Sequence, residues 1–228
     1  MKLPLLISVP HAGLTIPEEV KDICVLTREQ IKADGDEGAG EIYALEAAAA
    51  CYVTTDIARA FIDVNRPEED RGPDGVVKVK TCHGVPIYAE PLSEAVIENL
   101  LERYYRPYHM RLTELAADAK LGLDCHTMAA VGPAIATDAG RRRPHICLSN
   151  AGGTCPEEFF EGFINCFAKV FGEDPAINSP FKGGHIIRRH AEELPWMQIE
   201  ISREPFISAS EKHHNVLEAI ELFCRTVL

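Results

Sequence analysis

Apolar positions fall into short runs separated by helical stripes. Leu5 to Val9 is a short apolar run closed by Pro10-His11-Ala12-Gly13, a buried strand leading into a loop. A polar stretch follows. Ala39 to Cys51, dense in Ala, Leu and Glu, predicts a helix by propensity. Tyr52 to Thr55 and Ala60 to Val64 read as strands, and Pro67 to Gly75, charged and rich in Pro and Gly, as a loop. Ser93 to Lys120 reads as a long helix that Pro107 kinks or breaks. Leu121 to His126 and His145 to Leu148 are short strands, the first with a polar end. Thr154-Cys155-Pro156-Glu157 has the spacing of a capping box. The helix behind it carries Phe159, Phe160, Phe163, Ile164, Phe167 and Phe171 at helical spacing and stops at Gly172. Gly184 to Ile187 and Trp196 to Ile201 read as strands, and Ser208-Ala209-Ser210-Glu211 opens the last helix.

Alternation of strands and helices predicts an α/β fold: a three-layer αβα sandwich with a mixed, largely parallel central sheet. Without an internal repeat or a linker, residues 1–228 read as a single domain. The start, Met-Lys-Leu-Pro-Leu-Leu-Ile, reads as a first strand rather than a leader. Active sites in such sheets lie off the carboxyl ends of the strands. Four polar groups fall at those ends: His11, the Asp63-Val64-Asn65-Arg66 segment, His126 and Glu200.

Composition narrows the partners. A net charge of −12 argues against a nucleic-acid surface, which needs a basic stripe, yet a local arginine cluster can still hold a small anion. No apolar run approaches the roughly 20 residues of a membrane helix. The eight cysteines are dispersed without a CxxC pair, and reduced thiols in a cytoplasmic protein are expected.

The chemistry starts from Asp124-Cys125-His126-Thr127, a strand ending in an acid and a histidine. Metal-binding histidines need an acceptor to fix their tautomer, and a strand end holds them rigidly. His11 makes the same case from another strand, with Gly13 leaving room for a ligand near the backbone. Each alone reads as a hydrogen-bonded core histidine. Together they suggest zinc, which in catalytic sites takes three protein ligands. A third ligand is sought among Asp34, Asp36 and Glu37, which otherwise read as acids complementing a helix N-terminus. Glu200 lies inside the apolar strand Trp196-Met197-Gln198-Ile199-Glu200-Ile201. A buried carboxylate must be partnered or functional; here it is a general base or an ion-pair partner of Arg203. Arg59, Asn65 and Arg66 flank a strand exit, and arginine offers a carboxylate a two-pronged clamp. His190, His213 and His214 read as exposed, His83 and His109 as structural, and His185 as near the pocket. Arg141-Arg142-Arg143 reads as a solvated loop.

Five segments in order, Ser8–Gly13, Asp63–Pro67, Asp124–Thr127, Phe181–Ile186 and Gln198–Arg203, resemble the N-formylglutamate amidohydrolase family. The resemblance spans nearly the whole chain. It implies a phosphorylase/hydrolase-like fold related to zinc carboxypeptidases and aspartoacylases. It also implies zinc-dependent hydrolysis of N-formyl-L-glutamate to formate and glutamate in histidine breakdown. Carried over, His11, Asp36 and His126 hold the metal, and Glu200 is the catalytic carboxylate. Asn65 and Arg66, with Arg59 and Arg203, receive a small anionic N-acyl amino acid. Zinc carboxypeptidases place a glutamate three residues after the first histidine, where this chain has Leu14. Two other readings stand beside this one: an amidase or peptidase for another acidic N-acyl substrate, and a metal-free binding protein that keeps the carboxylate pocket.

Overall fold

The computed structural model describes residues 2–134 and 136–228. Six strands build one sheet: β1 (Leu3–Val9), β2 (Ala49–Thr54), β3 (Leu121–Met128), β4 (Ile146–Ser149), β5 (Ala176–Ile177) and β6 (Trp196–Ser202). Their spatial order is β2-β1-β3-β6-β4-β5. Every neighbouring pair is parallel except β4 with β6. Seven α-helices surround the sheet: α1 (Arg28–Asp34), α2 (Ala39–Ile42), α3 (Glu94–Leu100), α4 (Arg106–Leu115), α5 (Glu157–Phe171), α6 (His185–Arg189) and α7 (Ala209–Thr226). The fold is the α/β arrangement that the alternation of elements implies.

Successive side chains of a strand point to opposite faces. On one face stand Leu5, Ile7 and Val9 of β1, Leu121, Leu123 and Cys125 of β3, and Met197, Ile199 and Ile201 of β6, all buried. They pack with α2, with Phe160, Phe163 and Phe167 of α5 and with Val216, Ile220 and Phe223 of α7. The other face starts apolar with Leu6, Gly122 and Trp196. A Cβ on Gly122 would clash with the Trp196 indole, so the missing side chain makes room for the ring. Towards the carboxyl ends this face turns polar: Ser8 pairs with Asp124, Asp124 with Gln198, and His126 with Glu200. Register alone therefore gathers the polar residues of three strands.

The phenylalanine stripe of α5 is buried at Phe160, Phe163 and Phe167, and Gly172 ends the helix in the left-handed region, φ 72°. The Ser208–Glu211 capping box forms at α7. A further box, Thr27 with Gln30, opens α1.

Five local expectations are corrected. Ala39–Cys51 is not one helix: α2 ends at Ile42, and Ala49–Thr54 pairs with β1, burying Cys51 and Val53. Parallel pairing outweighs alanine's helix propensity there. Ala60–Val64 forms turns, with one isolated bridge from Ile62 to Val77. Ser93–Lys120 does not end at Pro107, which lies two residues past the interruption, in a helical run that continues to Leu115. Instead a π-turn, Leu101–Tyr105, interrupts the helix. Thr154 does not cap α5; Pro156 holds the cap position, and the Thr154 hydroxyl faces the carbonyls of Asn150 and Trp196, each at 2.8 Å. Gly184–Ile187 is the start of α6 rather than a strand. Side chains from elsewhere satisfy its first turn: the Gly184 N–H donates to Gln198 Oε1 (2.6 Å) and the Ile186 N–H to Asn65 Oδ1 (2.8 Å).

Candidate active site

His11 follows β1 and His126 lies near the end of β3, the neighbouring strand, so their rings meet with centroids 4.9 Å apart. Asp36 joins them from the turn after α1, its N–H bonded to the His11 carbonyl (3.1 Å). Ligand atoms of His11, Asp36 and His126 all lie within 4.8 Å of one another, and all three residues are buried. The other two acids of that segment face away. Asp34 is paired with the fully buried Lys78 (2.9 Å), and Glu37 with Lys32 (2.8 Å) at the surface.

Proton counting shows what the cluster lacks. His11 Nε2 donates to Asp63 Oδ1 (2.9 Å) and His126 Nε2 to Asp124 Oδ2 (2.8 Å). Each neutral ring then presents a lone pair at Nδ1. Asp36 Oδ2 stands 2.9 Å from that atom of His126 and 3.5 Å from that of His11. The His11 Nδ1 is buried without a hydrogen-bond partner. Three electron-rich atoms facing one another need a cation between them. The metal-free cluster answers with a proton. Burial opposes a charged ring, yet Asp124, by charge and hydrogen bond, and Asp36 hold the His126 pKa well above the imidazole value. Burial likewise opposes a charged Asp36, and the two imidazoles beside it outweigh burial, keeping that carboxyl far below its usual range.

A second layer fixes these groups. Ser8 Oγ donates to Asp124 Oδ1 (2.9 Å) and accepts from the buried Tyr108 hydroxyl (2.9 Å). Tyr43 donates to the His126 carbonyl (2.7 Å), and the Thr127 N–H to Asp36 Oδ2 (3.2 Å). The π-turn sets the register of Tyr105, its last residue, and of the helix after it, and three side chains here support the site. Tyr105 donates to the Arg66 carbonyl (2.9 Å), Tyr108 to Ser8, and His109 Nε2 to the Val64 carbonyl (2.9 Å). Such turns recur at functional sites. None of these helix residues carries a sequence signal beyond an aromatic-rich stretch.

Glu200 projects beside His126 from β6. Its Oε1 accepts from Gln198 Nε2 (2.8 Å). Burial is the main influence on it and raises its pKa to about 7, with the charge on His126 working the other way. No Arg203–Glu200 ion pair forms among the described residues. A carboxyl balanced between its two forms near neutrality is suited to accept and return a proton.

These groups open into a cavity of about 440 Å³. Its wall includes Arg59, Asn65, Arg66 and Arg203, so the expected substrate-binding residues share one space. Their partners differ. Arg59 Nε pairs with Asp63 (3.0 Å), and Arg66 Nη2 with Asp74 (3.1 Å). The Asn65 amide bonds Asp124 Oδ2 (3.2 Å) and the Ile186 N–H, bracing the site from within. Gly184 packs so tightly on that amide that a Cβ there would clash with it.

Four readings of single residues change. A Cβ on Gly13 would meet the Asp56 backbone, so chain packing rather than ligand approach explains that glycine. His190 is buried, not exposed, and sits between His109 (2.9 Å) and Glu193 (2.7 Å). His213 is partly buried, its Nδ1 3.1 Å from the Ile42 carbonyl. Arg143 is not solvated: it is buried, lines the cavity, and holds Asp138 through two bonds of 2.7 and 2.8 Å. All eight cysteines are free thiols, and no described helix is long and apolar enough to cross a membrane.

Known proteins resemble this chain in sequence and in fold. The chain is 28% identical to an N-formylglutamate deformylase of Pseudomonas putida over 92% of its own length and 84% of the relative's. The fold matches a crystal structure of an N-formylglutamate amidohydrolase from Ralstonia eutropha with a TM-score of 0.75, at 22% identity, over 98% and 92% of the two chains. A gene product of Agrobacterium tumefaciens matches with a TM-score of 0.79, at 24% identity, over 98% and 90%. A model of the N-formylglutamate amidohydrolase family matches residues 3–206, and the chain belongs to that family.

Proposed function

We propose that this protein is a zinc-dependent amidohydrolase that releases formate from N-formyl-L-glutamate. The observation that carries the reading is the buried His11–Asp36–His126 cluster, short of one cation, beside Glu200. Two imidazoles and a carboxylate suit zinc's preference for nitrogen and oxygen donors, and the carboxylate behind each ring fixes its tautomer. A divalent ion held there supplies Lewis-acid polarisation of the amide carbonyl and of the attacking water.

The protein's own residues do the rest. Glu200, held by Gln198, takes a proton from the attacking water and returns it to the leaving amine nitrogen. Asp63 and Asp124 keep Nδ1 of both histidines free to bind metal. Arg66, fixed by Asp74 on one side, offers its remaining N–H groups to the substrate's α-carboxylate, with Arg59 behind it.

The test combines metal analysis with turnover. Wild-type protein is expected to hold close to one zinc and to release formate from N-formyl-L-glutamate, whereas His11→Ala and His126→Ala lose both. Full zinc occupancy in both variants would overturn the ligand assignment. Turnover only on other acidic N-acyl amino acids would keep the chemistry and replace the substrate.

A further inference from the structure

Five cations line the cavity: Arg59, Arg66, Arg143, Lys182 and Arg203. Asp63, Asp74 and Asp138 hold Arg59, Arg66 and Arg143. Arg203 and Lys182 have no carboxylate partner among the described residues, and the Arg203 Nε is buried without an acceptor. Arg203 is half-buried and lines the cavity, and a carboxylate is the matching partner of a guanidinium.

Arg143 lines the same cavity. The Arg203 N–H bonds the Met128 carbonyl (2.8 Å) and the Arg143 N–H the Ala130 carbonyl (2.8 Å). The Arg143 guanidinium is built in. Its carbon lies 4.9 Å from the centre of the Phe181 ring, and its Nε and Nη2 are bound to Asp138. Its Nη1 remains for a ligand.

We propose that Arg203 and Arg143 form a second carboxylate subsite, which takes the side-chain carboxylate of a dicarboxylic N-acyl amino acid. The inference rests on the function proposed above and goes further by assigning the two carboxylates to separate walls. Arg59 contacts Asp63 directly and Arg66 approaches it at 4.0 Å; Asp63 holds His11, so both arginines stand close to the reacting centre. That suits the α-carboxylate, one carbon from the amide nitrogen. Arg203 follows the end of β6, past Glu200, and lines the same cavity as Glu200, apart from the Arg59–Asp63–Arg66 group that holds His11.

The experiment compares N-formyl-L-glutamate with N-formyl-L-glutamine, which has nearly the same shape and no side-chain charge. Wild type, Arg203→Met, Arg203→Lys and Arg66→Met are assayed after matched melting curves and zinc contents. Wild type is expected to favour the glutamate substrate. In Arg203→Met the loss of kcat/KM on glutamate should exceed the loss on glutamine by on the order of 10²-fold, because an acceptor is left without its donor. Arg203→Lys should recover part of the preference, and Arg66→Met should lower both substrates alike. Equal losses on both substrates in Arg203→Met, or an undiminished preference, would overturn the subsite. If wild type cleaves neither substrate, the proposed function fails and calorimetry of L-glutamate and L-glutamine decides the subsite. Selective weakening of glutamate binding by Arg203→Met would support it, and no selective weakening would overturn it.

Discussion

The two faces of the central sheet are built on the same three strands and do opposite work. Facing α5 and α7, Leu5, Leu123 and Ile199 meet other apolar side chains, and stability comes from the area removed from water. On the other face, Ser8, Asp124, His126, Gln198 and Glu200 are equally buried and stand in the neighbouring register positions. Each of them has a hydrogen-bond partner, and the set as a whole is short of a positive charge at the His11–Asp36–His126 cluster. An apolar face tolerates loss of shape only at the expense of stability. A buried polar face that is short of a cation has a chemical demand, and that demand makes it a candidate for catalysis.

The largest effect should come from the apolar face. Phe163, fully buried among Phe167 and Phe223, belongs to the core on the sheet face opposite the site. Phe163→Ala should lose about 3–5 kcal/mol of stability in urea unfolding, with kcat per folded molecule near wild type. A matching fall in kcat would blur the division between the faces.

A smaller effect sharpens the division from the other side. Tyr108→Phe removes one hydroxyl from the Tyr108–Ser8–Asp124–His126 chain and almost no volume. Stability should fall by only about 1 kcal/mol. Zinc affinity, measured by chelator competition, should drop about tenfold, the lower end of what supporting residues contribute. An unchanged affinity would mean that the chain ends in packing rather than at the metal.

Much of this was legible in the sequence wherever the signal is periodic or local. The β1, β3 and β6 strands, the phenylalanine stripe of α5 and the Ser208 cap follow from spacing alone. Strand-end position alone marks His11, His126 and Glu200. What stayed hidden depends on distant partners. Ala49–Cys51 prefers helix until β1 offers a pairing edge, and α6 is short enough to need Asn65 and Gln198 to satisfy its first turn. Arg143 looks solvated until Asp138 and Phe181 fold against it. The choice of Asp36 over Asp34 turns on Lys78, which lies 44 residues beyond Asp34.

Glu200→Gln tests the central claim most directly, with zinc content, unfolding and kcat measured on one preparation. The change keeps shape and removes the ability to carry a proton. With zinc retained, kcat should fall on the order of 10²-fold or more. In metal-free wild type the folded carboxyl titrates near 7, raised by burial above its unfolded value. Its contribution to stability is therefore present at low pH and lost as pH rises through about 7, so metal-free Glu200→Gln should gain on wild type between pH 5 and pH 8. A zinc-loaded Glu200→Gln with wild-type kcat would contradict the account: Glu200 would then be a structural residue, and the proton transfer would have to belong to another group.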